Sequence, residues 1–324
     1  MTALYISLGI IAGIIIITLA VSLICYFMAF YSPKRKPCNP EEYKFQLEEL
    51  YEPYKQEMIK WMKDARKLNP ETLKIKSCDG LTLVGKYYEY KKGAPIEILF
   101  HGYKGNGERD LSGGIERCFA IERNAIVVDQ RGAGESDGHT ISFGIKEHLD
   151  CIKWAEYVSE RFGPDTKIIL TGVSMGAATV LMASGKELPK NVACILADCS
   201  YSTPKEIIMK TIKEMKLPPK LMYPFVKLGA RIFGGFNLDE YSPIEGTRET
   251  KIPTIFIHGT DDDFIPYSMS ERMYKECTAL KSLVPIEGAG HGLAYPVNKE
   301  KYLEALRDFE KQCHTGFEPM CIEN

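Results

Sequence analysis

The first 33 positions of this 324-residue chain contain no Asp, Glu, Lys, Arg or His, so all 41 basic and 43 acidic side chains lie downstream. One charge-free run followed by ordinary soluble composition excludes a polytopic membrane protein. No basic block is longer than Lys34-Arg35-Lys36, and the net charge is -2. Without a positive field the chain has no means of holding a phosphate backbone, which excludes nucleic acid as a partner. The ten cysteines include no Cys-x-x-Cys pair, so neither a zinc cluster nor a disulfide framework is indicated, and scattered single thiols fit a reducing compartment. No internal repeat occurs, and no low-complexity segment outside the apolar head, which sets aside solenoid and disordered classes.

What is present begins with the head. Residues 3–31 read ALYISLGIIAGIIIITLAVSLICYFMAFY, and about 20 such residues at 1.5 Å each cross a bilayer core. No Lys or Arg precedes the run, it is too long for the apolar part of a signal peptide, and no A-x-A-like cleavage site follows, so residues 1–33 are expected to be an uncleaved single-pass transmembrane anchor. Lys34 to Lys36 just past the span predict, by the positive-inside rule, a cell-membrane protein whose folded domain lies in the cytoplasm. On this reading the head adds nothing to the catalytic core and acts only on location.

Residues 34–70 read as a connector and N-terminal helices. Pro33, Pro37 and Pro40 stiffen the start, then Phe45, Leu47, Leu50, Tyr51, Tyr54, Met58, Ile59, Trp61 and Met62 recur at helical spacing, with a break expected at Pro53. From residue 71 to the end the pattern is strands alternating with helices. A hairpin is expected over 73–90 around Asp79-Gly80, then buried strands over 96–102, 125–132, 166–174, 192–200, 254–260 and 280–288. Helices are expected over 145–161, 176–187, 268–277 and 298–313. This predicts an α/β fold with a mostly parallel, doubly wound sheet. Residues 201–251 carry no strand-like run and are far longer than a crossover needs, so they read as a helical lid insertion.

The residues that could carry chemistry start with Gly172-Val173-Ser174-Met175-Gly176, which follows the apolar run IILT and opens the helical run AATVLMAS. Gly172 and Gly176 let the chain turn sharply, so Ser174 would stand exposed at the sheet's carboxyl edge and the Met175 amide, at a helix N-terminus, could bind an oxyanion. A serine hydroxyl needs a base, and the base needs an orienting acid. His291 lies in a glycine-rich loop, GAGHG, after the final strand, and the preceding strand ends in HGTDDDFIP, which offers Asp261, Asp262 and Asp263. A divalent cation held by that Asp run is disfavoured, because three adjacent side chains cannot converge on one ion. No metal or other cofactor is expected.

These three loops together resemble the α/β-hydrolase superfamily, in its serine-aminopeptidase-like and prolyl-oligopeptidase-like branch of bacterial esterases and peptidases, over roughly residues 71–315. Family members write the acid loop H-G-x-x-D-x-x-V/I-P, and that resemblance selects Asp262, with Asp198 at the end of the sixth strand as runner-up. It also implies that the second oxyanion donor is the backbone N–H of Tyr103 in LFHGYKG, with Gly102 permitting close approach and His101 bracing the loop, and that DQRGAGES (129–136) supports the site. His139, His148 and His314 read as loop or helix-surface residues, and His258 as part of a strand end.

The resemblance implies a serine hydrolase with the triad Ser174, His291 and Asp262, acting on a small-molecule acyl ester or amphiphilic substrate. Met and Phe residues in 201–251 favour an apolar acyl or aromatic group. A peptidase, an acyltransferase or thioesterase on the same triad, and a non-catalytic binding module are the alternatives, and sequence leaves the oligomeric state open.

Overall fold

The computed structural model describes residues 1–33 and 48–314. Lys34 to Lys36, Pro37, Pro40, Phe45, Leu47 and the His314 side chain lie outside the described residues. The strands are β1 (Glu71–Lys76), β2 (Thr82–Tyr88), β3 (Ile96–Phe100), β4 (Asn124–Asp129), β5 (Ile168–Val173), β6 (Val192–Asp198), β7 (Thr254–Gly259) and β8 (Lys281–Ile286). The helices are α1 (Thr2–Ala29), α2 (Glu48–Tyr51), α3 (Lys55–Lys67), α4 (Gly107–Ala120), α5 (Glu147–Phe162), α6 (Met175–Ser184), α7 (Pro204–Glu214), α8 (Pro219–Gly229), α9 (Pro243–Glu249), α10 (Tyr267–Glu276), α11 (Ala294–Val297) and α12 (Lys299–His314). Pro53 sits in a 3-10 turn, Glu52–Tyr54, that separates α2 from α3.

The eight strands form one sheet in the order β1-β2-β4-β3-β5-β6-β7-β8. The β1–β2 hairpin turns at Gly80, whose φ of +87° suits glycine. β2 runs antiparallel to β4, and the pairs from β4 to β8 are parallel. Parallel strands covered on both faces need apolar side chains on both. In β3, Ile96, Ile98 and Phe100 join the core under α5, α6 and α10, while Leu99 joins Leu111 and Ile115 of α4 on the opposite face.

Glu97 breaks that apolar run and is fully buried. It accepts hydrogen bonds from Arg117, from Arg123 at 3.0 Å and from Thr171 at 2.7 Å. Burial alone would raise its pKa, but the two guanidinium charges outweigh burial and hold it at about 2. A buried charge persists only when paired in this way.

Between β6 and β7 lie α7, α8, a π-helical turn (Ala230–Gly234) and α9. Thr203 caps α7 by accepting from the Glu206 amide, and Pro204 fills a first-turn position where a missing N–H costs nothing.

The end of α1 departs from the reading of the head as a separate element. Cys25, Tyr26 and Phe30 are buried in a cluster with Phe143, Met175 and Val226. Gly229 of α8 lies so close to α1 that a Cβ there would stand 2.4 Å from the Ser22 carbonyl oxygen, the kind of small-residue contact that lets helix backbones approach. The Ile141 amide donates to Phe30 O at 2.8 Å, the Ser32 amide donates to His139 O at 2.9 Å, and the Tyr26 hydroxyl bonds Thr140 Oγ1 at 2.8 Å. The rest of α1 stays largely exposed as far as Ile24. It spans 28 residues without a charge, long enough to cross a bilayer.

Candidate active site

At the end of β5 the chain reverses into α6 through Ser174, whose φ of +57° is unusual for a side-chain-bearing residue. The flanking glycines are dictated by space. A Cβ on Gly172 would lie 2.0 Å from the Gly176 carbonyl carbon, and one on Gly176 would lie 2.0 Å from the Phe100 carbonyl oxygen. The Ser174 amide donates to Asp198 O at 2.8 Å, pinning the turn to β6.

His291 follows β8 and Asp262 follows β7, and parallel strands bring both loops to the sheet edge that carries Ser174. His291 Nε2 lies 3.0 Å from Ser174 Oγ, and His291 Nδ1 lies 2.7 Å from Asp262 Oδ2. All three residues are buried. The other carboxylate oxygen, Oδ1, accepts from the amides of Phe264 at 3.0 Å and Ile265 at 2.7 Å. Burial would raise the Asp262 pKa, but hydrogen bonds from His258 and His291 and the Ile265 amide outweigh it and hold the carboxyl well below the usual range.

The runner-up acid, Asp198, has a different partner: it accepts from the Tyr302 hydroxyl at 2.9 Å. Asp261 accepts from Thr260, and the Asp263 carbonyl accepts from Lys210 of α7 at 2.7 Å. Cys199, Asp262 and His291 present possible ligand atoms within 4.8 Å of one another, but burial raises the Cys199 thiol well above its ordinary pKa, which keeps it protonated.

Met175 is the first residue of α6, where helix amides face outward. A Cβ on Gly102 would touch the Ser174 Cβ at 3.5 Å, so the Gly102-Tyr103 loop lies against the serine. That loop is tied down by His101: its Nε2 accepts from the Gln130 amide at 3.1 Å, while the Gln130 side chain donates to His101 O at 2.6 Å. In the 129–136 turn, Asp129 accepts from the Gly107 and Glu135 amides, and Arg131 is clamped by Asp79 and Asp150.

Ser174 lies between two cavities. One, of about 200 Å³, is lined by apolar side chains of α1, α7 and α8 together with Phe143, Tyr201 and Ile265. The other, of about 340 Å³, is more polar and includes Tyr51, Arg109, Asp110 and His291.

Several contributors escaped the sequence reading. Tyr51 of α2 donates to His291 O at 2.9 Å, so the segment before the sheet reaches the histidine loop. His258 does more than end a strand: its Nε2 lies 2.8 Å from Ile265 O and 3.2 Å from Asp262 Oδ2. The signal was the shared motif HGTDDDFIP, which places His258 four residues before Asp262. His148 is buried beside Tyr241, where the reading had it on a surface; α5 begins under the 139–146 loop, and desolvation there lowers its pKa.

A sheet of this order, with a serine at the β5–α6 elbow and acid and histidine loops after β7 and β8, defines the α/β-hydrolase fold. The family model described as "alpha/beta hydrolase fold" matches residues 98–242. A Bacillus subtilis protein, YqkD, itself uncharacterised, is 29% identical over 187 residues, covering 57% of this chain and 61% of that one. The chain therefore matches less than two thirds of that relative's length. The Schizosaccharomyces pombe protein bem46 is 26% identical over 218 residues, covering 65% of this chain and 67% of bem46. Among solved structures, the Pyrococcus furiosus esterase Pf2001 superposes with a TM-score of 0.64 at 21% identity, covering 87% of this chain and 98% of the esterase. The chain is a protein of the α/β-hydrolase fold.

Proposed function

We propose that this protein is a membrane-anchored serine hydrolase that cleaves a carboxylic ester, or a related acyl bond, through an acyl-enzyme. The observation that carries the reading is the unbroken hydrogen-bonded sequence from Ser174 through His291 to Asp262. Ser174 Oγ attacks the carbonyl carbon as His291 Nε2 takes its proton. Asp262 stays ionised, holds Nδ1–H, and stabilises the imidazolium. The amides of Met175 and Tyr103 bind the tetrahedral oxyanion, which collapses as His291 protonates the leaving alcohol. Water, deprotonated by His291, then attacks the acyl-enzyme and releases the acid. The chemistry needs no cofactor.

The apolar cavity beside Ser174 supports an acyl group over a charged peptide terminus, and α7 and α8 act as the lid over it. In a fluorophosphonate labelling assay the full chain should react and Ser174→Ala should not, with turnover of short p-nitrophenyl esters lost in the same variant. Labelling or turnover that survives the substitution removes Ser174 from the mechanism. A parallel panel of esters, thioesters and aminoacyl amides separates the esterase reading from its thioesterase and peptidase variants.

A further inference from the structure

We infer, on the basis of the serine-hydrolase reading, that the pocket takes a medium-to-long straight acyl chain and that the last turn of the anchor helix is one of its walls, so that the anchor sets acyl-chain length. From Ser174 and Met175 the cavity runs between two walls. Ile208, Ile212 and Met222 belong to the first, and Cys25, Met28 and Ala29 of α1 form the second. Among the described residues no charged side chain lines it. Such a surface gains affinity by removing methylenes from water and offers few partners to a polar acyl group.

The wall is held in place. The carbonyls of Met28 and Ala29, left over at the end of α1, accept from Lys104 Nζ at 3.1 Å and Tyr103 Oη at 2.8 Å. The pocket therefore contains the end of α1 as a fixed part, where a tether would only pass nearby.

The mouth has the anatomy of an interface. Met28, Met215 and Leu217 line the cavity yet are 53%, 46% and 40% exposed, and Leu221 continues the apolar surface. Lys213, Lys216 and Lys220, next to Met215, Leu217 and Leu221 along the chain, are exposed, as is Glu214. Apolar side chains edged by lysines on the side from which an uncharged helix departs suit the water–lipid boundary. On the other side of Ser174 the second cleft is the more polar of the two and contains Arg109 and Asp110. The substrate that fits both cavities is an amphiphile: its chain lies against α1 and its polar alcohol part in the second cleft.

The test uses the full chain in lipid nanodiscs and p-nitrophenyl esters from butyrate to palmitate. Burial of each added methylene can raise kcat/KM up to about fourfold, so the wild type should favour dodecanoate over butyrate by at least tenfold. Met28→Trp and Ala29→Trp, which fill the pocket from the anchor side, should lower the dodecanoate-to-butyrate ratio at least tenfold. Met28→Ala, which enlarges it, should move the optimum to longer chains and carries the test if the tryptophan variants fail to fold. A ratio within twofold of wild type in the folded variants overturns the inference, as does a wild type that cleaves butyrate best. A wild type that cleaves no ester and takes no fluorophosphonate label overturns instead the hydrolase reading beneath it.

Discussion

The hydroxyl of Tyr103 donates to the carbonyl of Ala29 at 2.8 Å. Tyr103 thus follows Gly102 in the loop that lies against Ser174, and its side chain satisfies the end of α1. The ring also packs against Phe143, with centroids 5.1 Å apart, and Phe143 in turn meets Phe30. The loop against the serine and the apolar helix share one set of contacts, so removing the hydroxyl should be felt at both. Tyr103→Phe keeps the amide and the ring and loses about 1 kcal/mol of hydrogen bonding. The expected result is a several-fold fall in kcat/KM on short esters together with a lower melting temperature of the detergent-solubilised chain.

The two candidate acids are separable. Asp262→Asn should reduce kcat by about 10³–10⁴-fold, since an amide no longer fixes the His291 tautomer or stabilises its cation. Asp198→Asn, whose side chain faces Tyr302, should stay within a few-fold of wild type. Steady-state rates on one soluble ester decide it, and equal losses in both variants would contradict the assignment.

Asp198 should instead govern part of the pH dependence of stability. Burial pushes its carboxyl up to about 6, against the hydrogen bond from Tyr302, while an unfolded Asp titrates near 3.9. The folded state therefore binds this proton more tightly. The stabilisation is complete below about pH 4 and is lost as pH rises through about 6, a change on the order of 3 kcal/mol. Denaturation curves between pH 4 and 7 should show this decline in the wild type and a flatter profile in Asp198→Asn.

Space at the elbow predicts a contrast between two glycines. Gly176→Ala drives a Cβ into the Phe100 carbonyl at 2.0 Å, where neither backbone can yield, and should cost more than about 4 kcal/mol or abolish folded expression. Gly102→Ala meets only ordinary contacts, the nearest 3.5 Å away at Ser174 Cβ. It should fold, melt within a few degrees of wild type, and, on the proposed serine-hydrolase reading, lose activity because the added methyl takes space beside Ser174 Oγ that a substrate carbonyl would need.

The charge arrangement around the head predicts that the folded domain lies on the cytoplasmic side. Protease added to intact cells should leave the domain whole, and permeabilised cells should lose it. Digestion from outside would reverse the orientation.

The strand pattern, the helical insertion at 201–251 and the elbow could be read along the chain because each has a local physical cause. Parallel strands demand apolar runs, the elbow demands Gly172 and Gly176, and a hairpin demands a turn such as Asp79-Gly80. Ser174, His291 and Asp262 were nameable because each sits in a short motif at a strand end. Tyr51 and the second bond to His258 were less legible. A tyrosine at helical spacing looks like any core residue, and nothing local says that its hydroxyl will meet a loop 240 residues later.

The charge-free head shows the same division. Composition alone determined that the uncharged run of residues 1–33 can hold a helix long enough to span a bilayer, because the length of an uncharged run is a local property. Only the tertiary structure decided that Cys25, Met28 and Ala29 border the cavity at Ser174. That placement depends on Gly229 admitting α8 against Ser22, and on Tyr103 and Lys104 holding the last carbonyls of α1. Those contacts join residues more than 70 positions apart, a distance over which hydrophobic periodicity carries no information.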